Sequence, residues 1–372
     1  MSDSPTINRA SRVLVKVSPQ VPADAALREE MRAHARISPA EQRAVVRAVY
    51  SYYRWFGWLD QNASLQSRIA HAISLQNRFD ADPLSVKPEA LAARAVPAWL
   101  VDEVELSAEY LRQLQQEPAL WVRAQDEHYE ALLRAQPGFA PGPEPATHAL
   151  HYSGSRDLFK TDEFKHGLFE IQDLGSQIVG HACAPQPGET WWDACAGEGG
   201  KLLHLADLMQ GKGLIWASDR SHRRITQLRK RASRAQVFNY RVVPWNGGPI
   251  PPTKTKFDGI LLDAPCSGVG TWQRHPHARW TVTPTDVAEL ATLQLQLLDH
   301  VAGSLKPGGR LIYAVCTITK SETSAVAAAF GAAHPEFEPL PLLDADDHEL
   351  TIWPQDWNAN GMFIAGWKRK QE

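Results

Sequence analysis

Two cysteines stand where a reactive thiol could work. Cys266 follows Asp263-Ala264-Pro265 at the end of the apolar run FDGILL, and Cys316 closes a second apolar run, GRLIYAVC. Short apolar runs like these read as buried strands. In a doubly wound parallel sheet the two are expected neighbours, with their carboxyl ends facing one crevice. Either thiol alone is more simply a small packing residue. Two at the edges of adjacent strands, with Asp263 beside one, suit covalent catalysis by a thiolate.

A third element could hold a nucleoside cofactor. WWDACAGEGGKLLHLA, 191–206, runs strand, glycine-rich turn, helix. Gly197, Gly199 and Gly200 allow close backbone approach, and the helix start offers free N–H groups. The spacing is neither G-x-G-x-x-G nor G-x-x-x-x-G-K-[ST], which disfavours a pyrophosphate or triphosphate. The next strand ends in Asp219, an acid placed to bind ribose hydroxyls. Loop and acid together point to S-adenosylmethionine; the plainer alternative is an ordinary strand–helix turn with a solvated acid. Lys201 either neutralises a carboxylate or caps the loop, and Cys195 reads as packing.

Thiols and a methyl donor have one use in common. Carbon 5 of cytosine is a poor nucleophile until a thiolate adds at carbon 6. Asp263 would then stabilise charge building at N3 and O2, and a second group with base character would assist loss of the carbon 5 proton. Amino-group methylation needs no nucleophile and would be better served by a Pro-Pro-aromatic turn than by DAPC.

Two basic segments could meet RNA. TWQRHPHARW, 271–280, sets Arg274, His275, His277 and Arg279 between Trp272 and Trp280, a pattern suited to phosphates and stacked bases. The alternative is a solvated loop with its tryptophans tucked into the domain. RSHRRITQLRKRASR, 220–234, including Arg223 and Arg224, reads equally as a phosphate track or as a solvated helix face.

The elements that must position these groups follow from pattern. From about 166 onward, TWWDA, GLIWASD, FDGILLDA and GRLIYAVC alternate with helix-compatible segments, which predicts a parallel sheet covered on both faces. FEPLPL and GMFIAGWKRK predict a terminal hairpin. Residues 1–90 read as helical, with Ser38 and Glu41 at capping-box spacing ahead of the stripe Val45, Val46, Val49, Tyr52 and Tyr53. Between 97 and 165 lie a short helix near PAWLVDEVELSAEYLRQLQQ, the strand-like ALWVRAQ, and a Pro/Gly-rich connector at 135–146.

The bulk numbers constrain partners. The chain has 372 residues, 44% hydrophobic and 22% charged, with a formal charge of −3. That is an ordinary globular composition, and any polyanion must be met by local patches. Four cysteines without a C-x-x-C pair predict neither zinc nor a disulfide scaffold, and no metal site. No signal-like or membrane-spanning run is present, so a reduced, cytoplasmic monomer is expected.

These residues together resemble the bacterial rRNA/eukaryotic nucleolar Sun/NOL/NOP family of RNA cytosine-5 methyltransferases. FEIQDLGSQIVG (169–180), DACAGEGGK (193–201), the Asp219 region, LLDAPCSGVGTWQRHPHARW (261–280) and LKPGGRLIYAVCTITKSET (305–323) carry the resemblance. It implies a class I S-adenosylmethionine-dependent methyltransferase fold: a Rossmann-like doubly wound α/β sheet with a terminal antiparallel hairpin at 166–372. This would follow an all-α antitermination-factor-like RNA-binding domain (1–90) and a small α+β subdomain with linker (97–165). The resemblance makes Cys316 the nucleophile, Cys266 the release partner and Asp263 a contact to the base. Cofactor contacts map to Cys195, Ala196, Gly197, Glu198, Gly199, Gly200, Lys201, Asp219 and Asp263. Arg274, His277, Arg279, Trp280, Arg223 and Arg224 are the expected RNA contacts, rRNA being favoured over tRNA by family habit. No appended C-terminal RNA-binding domain is expected. Three departures stand out. Glu198 replaces a proline, Asn246 aligns where the family has an aspartate near the adenosine, and Val315 and Thr317 flank the nucleophile in place of Thr and Ser, which predicts weaker local hydrogen bonding. The rival reading is a catalytically silent RNA-binding or ribosome-assembly factor on the same scaffold.

Overall fold

The computed structural model describes every residue except 1–3, 19, 35, 36, 136, 145, 147, 344, 345 and 372. By packing, the chain divides into two units: Met1–Pro118 with Gly268–Pro284, and Ala119–Ser267 with Thr285–Glu372. Neither boundary expected from the sequence, near 90–97 or at 165, is where this packing divides.

The first unit is helical. Its helices are α1 (Ser4–Lys16), α2 (Ala23–Ala33), α3 (Pro39–Arg54), α4 (Leu65–Ala81), α5 (Pro88–Arg94) and α6 (Ala108–Gln113). The capping box at the start of α3 is present: Ser38 Oγ accepts from Glu41 N–H at 3.2 Å, and Ser38 N–H donates to Glu41 Oε2 at 3.0 Å. Val45, Val49 and Tyr52 are buried, so the stripe is a packing face. Trp55 closes this core, its indole N–H donating to Gln76 Oε1 at 3.0 Å.

Into this helical core runs the segment 268–284. Trp272 is fully buried, edge-on to Trp99 with ring centroids 6.1 Å apart. Arg279 is 0% exposed. Its guanidinium donates to the backbone oxygens of Ala95 and Leu114, each at 2.9 Å, and of Trp272 at 3.4 Å. A buried cation must be hydrogen-bonded to be tolerated, and carbonyl dipoles serve here in place of a carboxylate.

The second unit is α/β. A small antiparallel sheet has the order β2-β3-β1-β4, from β1 (Leu120–Ala124), β2 (Phe139–Pro141), β3 (Ala149–Tyr152) and β4 (Phe169–Ile171). The expected strand ALWVRAQ is β1. The presumed connector at 135–146 holds β2, although positions 136 and 145 lie outside the described residues, and β4 joins this sheet from beyond residue 166. Helices α7 (Tyr129–Ala135) and α8 (Asp162–Lys165) flank it.

The large sheet has the order β10-β12-β9-β8-β5-β6-β7. Its parallel strands are β5 (Thr190–Asp193), β6 (Leu214–Ala217), β7 (Tyr240–Val242), β8 (Phe257–Asp263) and β9 (Leu305–Val315). β12 (Met362–Arg369) lies antiparallel to β9 and pairs on its other side with β10 (Phe337–Pro339) and β11 (Glu349–Ile352), forming the expected terminal antiparallel element. The remaining helices are α9 (Leu174–Cys183), α10 (Gly200–Leu208), α11 (His222–Arg234), α12 (Pro284–Ala302), α13 (Ser324–Ala333) and α14 (Pro354–Trp357). Apolar cores lie on both sheet faces, one around Trp191, Leu203 and Ile312, the other around Trp192, Leu298 and Tyr313. The strand order reverses between β5 and β8, and ligands bind beyond the carboxyl ends at such a point. No helix among the described residues is long and apolar enough to cross a membrane.

Candidate active site

A cavity of about 360 Å³ opens at that switch point. Its wall takes Ala194, Cys195 and Gly197 after β5, Asp219, Arg220 and Arg224 after β6, Trp245 to Gly247 after β7, Asp263 to Cys266 after β8, Leu293 and Leu297 on α12, and Cys316 after β9. Every contributor belongs to the α/β unit.

Backbone bonds hold the loop after β5. Ala194 N–H donates to Leu261 O, and Ala196 N–H to Ser218 O at 2.8 Å. Gly197 adopts φ +56°, which disfavours a side chain, and its N–H donates to Asp219 Oδ2 at 3.1 Å. Gly199 is required for another reason: at φ +85° it caps α10, and a Cβ there would stand 2.8 Å from Leu228 Cγ. Ala196, Glu198, Gly199, Gly200 and Lys201 are absent from the cavity wall, and Glu198 is exposed. Of the cofactor loop read from sequence, only Cys195 and Gly197 line the cavity.

Asp219 is nearly buried, its side chain 6% exposed, and its other oxygen accepts from Ser221 N–H at 2.7 Å. Asn246 lies on the wall with Oδ1 accepting from Gly248 N–H at 3.1 Å, which leaves its amide nitrogen to meet a ligand. Lys201 settles the choice posed by the sequence. Its ammonium bonds Asp263 Oδ2 at 2.7 Å; burial works against the cation, but the Asp263 carboxylate outweighs it and raises the Lys201 pKa.

Ala264 N–H donates to Ala314 O and so fixes the end of β8 beside that of β9. The thiols that follow stand with Sγ atoms 3.3 Å apart. The Cys266 thiol, by hydrogen bonding, holds the Cys316 pKa below the ordinary thiol value, with Lys201 assisting; burial and Asp263 oppose it. Cys183 and Cys195 contrast with this, since burial raises both. Asp193, at the end of β5, is a carboxyl whose pKa burial pushes up to about 8.

The basic segments separate into exposed and interior groups. Arg223 and Arg224 are exposed on α11, with Arg224 Nη1 3.8 Å from Asp219 Oδ2. Arg231 and Arg234 on the same helix instead hold Glu170 of β4. Arg279, expected as an RNA contact, is corrected to an interior residue of the helical unit: it is fully buried, and both its terminal nitrogens bond backbone carbonyls. Trp280 is half-buried, with its indole N–H bound to Tyr53 O at 2.7 Å. Arg274 and His277 are half-buried, and burial lowers the His277 pKa, which favours the uncharged ring. Thr317 keeps its hydrogen bonds, to Ser267, Thr319 and Glu322, contrary to the weakening expected from replacing serine. Sequence reasoning missed Trp245, Leu293 and Leu297 and read Arg220 only as the start of a basic segment; of the three missed, only Trp245, beside Asn246, carried a local signal.

A family model described as 16S rRNA methyltransferase RsmB/F matches residues 181–368. The chain belongs to that family. This RsmB/F chain is 31% identical over 304 residues to the ribosomal RNA small subunit methyltransferase B of Shewanella oneidensis, covering 76% of this chain and 69% of that one. It is 35% identical over 222 residues to the probable enzyme of that name from Bacillus subtilis, covering 56% and 50%, so the match spans about half of that relative's length. A methyltransferase homolog from Pyrococcus horikoshii superposes with a TM-score of 0.63 at 27% identity, covering 70% of this chain and 90% of that one. The crystal structure of PH0851 covers 99% and 100% with a TM-score of 0.79 at 22% identity, a likeness of fold.

The RsmB/F cofactor is S-adenosylmethionine, and the cavity fits it. Its size is within the usual ligand range, roughly 300–1,000 Å³. Asp219 brings a carboxylate of the kind that binds ribose hydroxyls, Trp245, Leu293 and Leu297 are apolar, and Asn246 brings an amide.

Proposed function

We propose that this chain methylates carbon 5 of a cytosine in small-subunit rRNA, with Cys316 as nucleophile and Cys266 assisting release. The observation that carries the reading is the thiol pair, 3.3 Å apart at the ends of β8 and β9, on the wall of the cavity that Asp219 and Gly197 also line.

S-adenosylmethionine, when bound, supplies an electrophilic methyl group. The protein's residues do the rest. Cys316, as thiolate, adds to carbon 6 of cytosine, and the double-bond electrons move to carbon 5, which becomes nucleophilic. The Lys201 ammonium holds one Asp263 carboxylate oxygen, leaving the other to accept from the cytosine 4-amino group and so orient the base. Once carbon 5 carries the methyl group, Cys266, which has by then lost its own proton to solvent and stands as thiolate, accepts the carbon 5 proton. The electrons of that C–H bond restore the ring double bond and expel Cys316 as thiolate. Arg223 and Arg224 would meet phosphates, a role their exposure on α11 supports. The relatives' names favour small-subunit rRNA as substrate.

The test is transfer of label from methyl-tritiated S-adenosylmethionine to 16S rRNA transcripts and assembled small subunits, with bisulfite sequencing to place the product. Label at one protected cytosine is expected. RNA binding without label in any form of the substrate would instead favour the silent assembly-factor reading.

A further inference from the structure

Glu322 takes no part in the reaction above, yet it is a fully buried carboxylate in the turn after β9. Everything around it donates. Oε1 accepts from Ser267 N–H at 2.8 Å and from Gln294 Nε2 at 2.9 Å. Oε2 accepts from the Ser267 hydroxyl, from Thr319 Oγ1 at 2.9 Å and from Thr317 Oγ1 at 3.3 Å. Among the described residues it has no cationic partner. A carboxylate so placed is tolerated only while its hydrogen bonds are complete, and it rigidifies whatever supplies them.

What supplies them is specific. Ser267 directly follows Cys266, and Thr317 directly follows Cys316. Their hydroxyls also meet each other at 3.0 Å. Gln294 adds a second tie, its Nε2 donating to the backbone oxygen of Pro265, the residue before Cys266, at 2.9 Å. Tyr313 of β9 completes the frame, its hydroxyl 2.9 Å from Gln294 Oε1 and 2.7 Å from the backbone oxygen of Glu322. Past Ala264 and Ala314 the two cysteine-bearing loops are therefore joined side chain to side chain through one carboxylate.

We propose that Glu322 is a positioning residue that sets the separation and orientation of the Cys266 and Cys316 thiols by clamping the residue after each. Its kinetic consequence rests on the covalent reading of the site; the thiol spacing does not.

The experiment uses the full chain and the variant Glu322→Gln, which keeps the shape but removes the charge and replaces one of the two acceptor oxygens with a donor. Diamide serves as a ruler: it takes the two thiol hydrogens, is reduced to the hydrazine, and leaves a Cys266–Cys316 disulfide only where the sulfurs meet. Displacing reacting atoms by about 1 Å costs up to roughly a hundredfold in rate, so a ten- to hundredfold slower cross-link is expected by mass spectrometry. A fall in kcat with KM for S-adenosylmethionine unchanged should accompany it, because Glu322 is absent from the cavity wall. Glu322→Asp should restore part of both. A folded Glu322→Gln protein that cross-links at the parental rate overturns the proposal. Should that variant not fold, the double variant Ser267→Ala/Thr317→Val decides: slowed cross-linking supports the clamp, and the parental rate overturns it. If the parent methylates no RNA, the covalent reading fails while the cross-linking comparison still judges Glu322.

Discussion

The stretch from Asp263 to Trp280 reads as one basic, thiol-bearing loop, but it divides at Gly268. Residues up to Ser267 stay with the α/β unit and place Asp263 and Cys266 on the cavity wall. Residues from Gly268 pack with the helices, where Trp272 and Arg279 are fully buried. Similar polarity on either side of one glycine thus has opposite uses. Before it, Asp263 and Cys266 are partly exposed; after it, Arg279 is interior and bound to backbone oxygens. A cation flanked by aromatics signals nucleic acid only when its donors are unspent.

That contrast can be broken most sharply at the thiols. Cys316→Ala should lower methyl transfer about a thousandfold or more, as loss of a covalent nucleophile does, whereas Cys195→Ala should retain most activity. Activity assays with matched protein concentrations check both. Equal losses would remove the distinction between a reactive thiol and a packing thiol on one cavity wall.

Past Gly268 the expected effect is on stability. Arg279→Ala leaves buried carbonyls unsatisfied and should cost about 3 kcal/mol in denaturant unfolding. In protein that remains folded, the salt dependence of RNA binding should not change. The exposed cations should behave in the opposite way. Arg223→Ala and Arg224→Ala should each leave stability within about 0.5 kcal/mol and reduce the slope of log affinity against log salt by about 1. Filter binding over a salt series reads this directly. If Arg279→Ala flattened the salt slope and Arg224→Ala did not, the division at Gly268 would be misassigned.

The smallest effect concerns acidity. Cys316 is held below the ordinary thiol value, while burial raises Cys183 and Cys195. Iodoacetamide should therefore label Cys316 ahead of either as pH rises toward neutrality. Lys201→Met removes a cation that favours the thiolate, so the pH midpoint for Cys316 labelling should move upward. Mass spectrometry across pH 6–9 measures it, and a downward shift would contradict the charge assignment.

Much of the α/β unit was legible because apolar runs ending in Asp219, Asp263 and Cys316 obey strand periodicity and the switch-point rule. The small sheet was less so, since Phe139–Pro141 sits among prolines and glycines and becomes a strand only through pairing with Ala149–Tyr152. Arg279 was misread because its acceptors, Ala95 and Leu114, are remote in sequence. Glu322 passed unnoticed for the same reason, as an acid opening a helix looks ordinary until Ser267 and Gln294 are brought to it.

The central claim is that Cys316 attacks while Cys266 releases. It is tested most directly by incubating Cys266→Ala with S-adenosylmethionine and its RNA and running the products on a denaturing gel. The account predicts an RNA–protein adduct that survives denaturation and disappears when Cys316→Ala is added to the same chain. An adduct formed by Cys316→Ala alone, or none from Cys266→Ala under conditions where the parent methylates, would contradict it.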